Sequence, residues 1–133
     1  MKSKFLVIAI ISLFFAGCTE TMTDFDASIS VSSVSVSNKE GLCGYSDGEE
    51  CHSVVVVLTN EGDEEVSTTS YYWEAHSSSG GVFKSPDVNG PDACVAGGNC
   101  TLTLRFDVSE GETLTKLVWD STWNNMETEI PEY

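Results

Sequence analysis

After Asp24, apolar and polar residues alternate along most of the chain with a period of two. That period marks half-buried strands, and helical spacing is missing throughout. Phe25, Ala27, Ile29 and Val31 alternate with Asp26, Ser28 and Ser30; the phase slips at Ser32–Ser33 and resumes at Val34 and Val36. A one-residue slip exchanges the faces of a strand, which predicts a bulge or a switch between sheets there. Val54 to Leu58 is unbroken apolar sequence and marks a central strand, closed by a turn at Asn60–Asp63. Val66 to Ala75 predicts one strand with Tyr71, Trp73 and Ala75 on one face and Tyr72 and Glu74 on the other. A turn over Ser77–Gly81 leads to a short strand at 82–84, and Pro86–Gly98 reads as a long loop. Thr101 to Val108 then points Leu102, Leu104, Phe106 and Val108 inward. Strands over 114–120 and 126–130 follow, the last one stopped by Pro131. About seven short antiparallel strands over 26–133 make an all-β, immunoglobulin-like β-sandwich.

The first 17 residues break this pattern. Lys2 and Lys4 precede an apolar run from Phe5 to Phe15, too short for the roughly 20 residues of a membrane-spanning helix. Its length and flanks fit the apolar region of a signal peptide. Ala16, Gly17 and Cys18 follow, and this segment resembles the lipobox of prokaryotic lipoproteins, with Phe15 where an aliphatic residue is usual. The resemblance implies removal of 1–17 and lipidation of Cys18. A tether over 18–25 would then hold the domain within about 25 Å of the bilayer.

Setting Cys18 aside leaves Cys43, Cys51, Cys94 and Cys100. An even number in an exported domain predicts two disulfides, and proximity in sequence favours Cys43–Cys51 and Cys94–Cys100. Gly97 and Gly98 suit the tight turn that the second pair requires. The spacings are longer than zinc knuckles use.

The chain of 133 residues carries 6 Lys+Arg against 21 Asp+Glu, a net charge of −15. Such a surface repels nucleic acid and anionic lipid, so contact with a membrane falls to the lipid anchor alone. Chemistry is sparse. His52 and His76 are the only histidines, and both read as solvated polar residues. The sequence lacks a Gly-x-Ser-x-Gly, a His-Glu-x-x-His and a phosphate loop, so it is read as non-enzymatic with no resident cofactor. Calcium is the minority expectation, because Asp87, Asn89 and Asp92 place oxygen ligands at near-alternate loop positions, with a second acidic loop at Asp47–Glu50. Trp73, Trp119, Phe83 and Phe106 fit the core, whereas Tyr72, on the opposite face from Trp73, and Trp123, in a polar loop, are the expected contact residues.

Several segments follow one another in order: the Val-rich strand ending at Asn60, the Glu61–Asp63 turn, Trp73, Gly80–Phe83, Gly97–Val108 and Leu117–Trp119. With these, residues 26–133 resemble the uncharacterised immunoglobulin-like domains of prokaryotic lipoproteins, similar to secreted mycobacterial immunogenic proteins. The resemblance implies a sandwich and carries no catalytic residue. The expected function is therefore a membrane-anchored binding module whose partner is an envelope protein or an extracellular ligand. A calcium-binding module and an inhibitor of a secreted hydrolase are the alternatives.

Overall fold

The computed structural model describes residues 25–37 and 48–133. Among these residues ten strands, rather than the expected seven or so, run in chain order, the excess being short pairings of two or three residues: β1 Ala27–Ser37, β2 Glu49–Asn60, β3 Val66–Ser67, β4 Trp73–Ser77, β5 Val82–Lys84, β6 Asp87–Asn89, β7 Ala93–Cys94, β8 Asn99–Ser109, β9 Leu114–Asp120 and β10 Asn125–Glu129. They form two four-stranded sheets, β1-β2-β8-β6 and β10-β9-β4-β5, with β3 and β7 paired separately. Every pairing is antiparallel.

The core is what the alternation demands. Val54, Val56 and Leu58 of β2 and Leu102, Leu104, Phe106 and Val108 of β8 are fully buried. Their registers match, Val54 opposite Leu104 and Val56 opposite Leu102, so one apolar face continues across both strands. The other sheet answers with Trp73, Ala75, Leu117, Trp119 and Met126. Each such fully buried aliphatic or aromatic side chain contributes about 1.5–3 kcal/mol of transfer free energy.

The phase slip resolves as a bulge. Val31 pairs with Val56 and Ser33 with Val55, leaving Ser32 unpaired in an otherwise continuous β1. The stretch expected as a loop over Pro86–Gly98 instead contains β6 and β7, because short edge pairings satisfy its backbone against β8 and β3. Gly90, between them at φ 150°, is fixed by space: a Cβ there would lie 2.6 Å from Leu102 Cδ2.

Cys94 and Cys100 form a disulfide with their Cα atoms 5.8 Å apart. Gly97 turns the chain between them at φ 77°, a conformation that a side chain would strain.

Candidate functional site

The site begins with two indoles. Trp119 Nε1–H donates to the Ser67 carbonyl at 2.8 Å and Trp73 Nε1–H to the Thr68 carbonyl at 3.0 Å. The Thr68 amide donates to the Asp92 carbonyl at 3.0 Å, and its hydroxyl to the Pro91 carbonyl. Those groups would otherwise belong to a sheet ladder, so the expected strand over 66–75 stops at Ser67. A single 3₁₀ turn, Ser70–Tyr72, carries the chain to β4. The alternation across this stretch is thereby reset. Tyr71, expected inward beside Trp73, is 82% exposed. Tyr72, expected outward, is half-buried with its ring centroid 5.5 Å from that of Trp119. Phe25, at the end of the expected tether, stacks on Trp119 at 5.8 Å and 11°.

A second buried group shapes the loop facing these rings. Asn60 is 1% exposed and lies in phase with Val54, Val56 and Leu58 on the inward face of β2. Its Nδ2 donates to the carbonyls of Glu64 at 2.8 Å, Cys94 at 3.0 Å and Val95 at 3.2 Å. Its Oδ1 accepts the Gly62 amide at 3.0 Å. One side chain thus ties the acidic turn to the disulfide hairpin. The Glu61 amide adds a bond to the Asp26 carbonyl at 2.7 Å. Asp63, Glu64 and Glu65 are left exposed at the rim. The ion pairs of the described residues lie elsewhere, at Glu50–His52, Glu74–His76, Asp87–Arg105 and Glu127–Lys116.

Between the rings, the acidic loop and the turn Ser121–Asn124 lies an open cleft of about 180 Å³. Phe25, Tyr72 and Trp119 form its aromatic wall, with Asp63, Glu64 and Glu65 along its rim. Ser121 Oγ accepts the amides of Trp123 and Asn124, which fixes that turn and holds Trp123 out at 87% exposure. Exposed Tyr71 and Trp123 do not line the cleft themselves; each is the chain neighbour of a residue that does, Tyr72 and Asn124.

Of the two expected contact residues, Tyr72 lies in the wall of the cleft, and Trp123 is exposed on the turn whose Ser121 and Asn124 line it. Of the calcium candidates, Asp87 and Asp92 line a separate open pocket of about 290 Å³, whose lining does not include Asn89. Asp87 gives its carboxylate to Arg105 at 2.9 Å, and Asn89 and Asp92 are exposed. Among the described residues, groups of three or more His, Cys, Asp or Glu able to hold a metal are absent. Asp47 of the second acidic loop, Cys18 and Cys43 lie outside the described residues. Cys51, the expected partner of Cys43, is disulfide-bonded.

His52 is a correction. It is 1% exposed rather than solvated, with Nδ1 2.8 Å from Tyr133 Oη and Nε2 3.2 Å from Glu50 Oε1. The Tyr133 hydroxyl also accepts the Leu114 amide at 2.8 Å. A carboxylate only accepts, so His52 Nε2 donates to Glu50 and Nδ1 accepts a hydrogen bond from the Tyr133 hydroxyl. Burial pushes the Tyr133 phenol above its ordinary range, against the lowering effect of the Leu114 bond. His76 is half-buried and held by Glu74 at 2.6 Å.

Phe25, Asn60 and the rim carboxylates are the site residues that pattern reading passed over. Asn60 did carry a signal, being a polar residue in the inward phase of an apolar strand.

The fold and cleft define an antiparallel β-sandwich with an end-on aromatic site. Comparison with solved structures finds two similar chains. A secreted protein from Mycobacterium tuberculosis, MPT63, superposes with a TM-score of 0.57 at 15% identity, covering 82% of this chain and 91% of that one. An uncharacterized beta-sandwich protein from Clostridium difficile 630 gives 0.48 at 12% identity over 77% and 84% of the two chains. Protein-family models yield no match to the sequence, and neither do curated protein sequences.

Proposed function

We propose that this chain is an exported, lipid-anchored, immunoglobulin-like module of the cell envelope that works by binding a partner at the cleft, without chemistry of its own. The observation that carries this reading is the cleft itself, where Phe25, Tyr72 and Trp119 wall a space of about 180 Å³. Exposed Tyr71 and Trp123 are the chain neighbours of two lining residues, Tyr72 and Asn124. Solvent-facing aromatics grouped around a concavity are the usual anchors of an interface. Both histidines are tied to glutamates on their own strands, which leaves them serving the fold. The lipobox-like Ala16–Cys18 segment supports anchoring, and the secreted neighbour is in keeping with export.

Two measurements test the proposal. Fractionation of cells should find the protein in membranes and the Cys18→Ser variant released from them. A photocrosslinking residue in place of Trp123 should form a discrete adduct in intact cells, whereas one at exposed Thr101 on β8 should not. Adducts of equal yield at the two positions would sink the assignment to the cleft.

A further inference from the structure

We infer that the cleft receives an arginine side chain from a basic polypeptide partner. The guanidinium would stack against the aromatic wall and be clamped by the rim carboxylates. This inference rests on the binding reading above and names its occupant.

Size decides first between a free ligand and a side chain. Pockets for free organic ligands run to about 300–1,000 Å³, and this cleft, at about 180 Å³, is too small for that class. It matches one long side chain whose backbone stays outside. Tyr71 and Trp123, at 82% and 87% exposure, then have a role as cover for the flanking peptide.

Charge decides next. Asp63, Glu64 and Glu65 sit at the rim, and Asn60 holds their loop in place before any partner arrives. A loop ordered in advance loses little entropy on binding. None of the three carboxylates has an ion-pair partner among the described residues. A second copy of this chain is a poor occupant, because two molecules of charge −15 repel. Nucleic acid and anionic lipid are repelled for the same reason.

Geometry then separates arginine from lysine. A planar guanidinium can lie on a ring face and fork onto a carboxylate at once, whereas an ammonium is a compact, strongly hydrated point charge. Half-buried Phe25 and Tyr72 present ring surface to the cleft beside the acids.

The test uses the full chain in mild detergent and a labelled glycine–serine peptide bearing four arginines, read by fluorescence anisotropy at about 0.15 M salt. The same peptide with lysine, or with uncharged citrulline, in place of arginine provides the comparison. The arginine peptide should bind about ten-fold tighter than the citrulline peptide and several-fold tighter than the lysine peptide. A triple variant Asp63→Asn, Glu64→Gln, Glu65→Gln should weaken it about ten-fold. All three positions are exposed, so the variant keeps the fold, which its melting temperature verifies. Glu110→Gln, Glu129→Gln, Glu132→Gln removes the same number of exposed charges elsewhere and should weaken binding less than about two-fold. Equal losses in the two triple variants would mean diffuse charge attraction and overturn the inference. So would equal affinity for lysine and arginine, or no binding at all. A discrete crosslink at position 123 combined with any of those results would leave the binding module standing and remove only its arginine occupant.

Discussion

Both ends of β2 are closed on the inward face by a buried polar side chain, but the two are built from different chemistry. Asn60, at the cleft end, spends its amide on backbone groups: the carbonyls of Glu64, Cys94 and Val95 and the amide of Gly62. His52, at the other end, reaches two ionisable side chains, Glu50 and Tyr133. A node made of amide and peptide groups does not titrate, so the loop it holds keeps its shape across pH. The node at the other end includes the Tyr133 phenol, whose ionisation burial holds back. The contrast teaches that the cleft end is held by groups without a titrating proton, whereas the opposite end includes a phenol that ionises at high pH.

The largest break in that comparison should come from Asn60→Ala. It strands three carbonyls and the Gly62 amide, and should cost about 3 kcal/mol, or about 10 °C in Tm. Binding at the cleft should fall with it. Calorimetric unfolding together with peptide titration checks both, and a variant with normal binding would show that the loop does not need this amide.

Removing the neighbouring disulfide with Cys94→Ala and Cys100→Ala should cost about 2 kcal/mol, since the loop it closes is short. Because Asn60 bonds the Cys94 and Val95 carbonyls, the two lesions should be non-additive in a double-mutant cycle. Strict additivity would mean that amide and disulfide act independently.

At the other end, Tyr133→Phe should cost about 1 kcal/mol at neutral pH through the lost bonds to His52 and Leu114. It should also change the alkaline limb. The Tyr133 phenol is raised from 10.0 by burial, so its contribution to stability is full below the ordinary phenol range. That contribution is lost as pH rises through the raised value, where the unfolded chain ionises first. Wild-type stability should decline there more steeply than that of the variant, which urea unfolding from pH 8 to 11 would reveal. Parallel curves would remove Tyr133 as the source. The smallest effect is expected from calcium: with Asp87 held by Arg105, adding calcium or chelator should move Tm by less than about 1 °C.

Much of this architecture was legible locally. The Val54–Leu58 run, the 101–108 alternation, the slip at Ser32–Ser33 and the Gly97 turn between bonded cysteines all express chemistry within a few residues. What escaped was set from a distance. The strand over 66–75 is interrupted because indole groups of Trp73 and Trp119 take the Thr68 and Ser67 carbonyls, and period-two alternation has no term for that. His52 looks solvated until Tyr133, 81 residues later, caps it. The cleft follows the same rule: Tyr72 was visible as an aromatic on the face opposite Trp73. Its meeting with Trp119, Phe25 and the Asn60 loop depends on how the two sheets close.

The extra residue at Ser32 has a consequence for crowding. β1 is an outer strand of its sheet, eleven residues long, and a straight edge of that length would be a template on which another molecule's strand could zip. With Ser32 unpaired and the ladder shifted between Val31 and Ser33, the edge splits into two short runs out of step with each other. An incoming strand can match one run or the other but not both, unless it carries a kink at the same place. Molecules brought side by side would thus find no continuous seam along this edge on which to assemble into fibres.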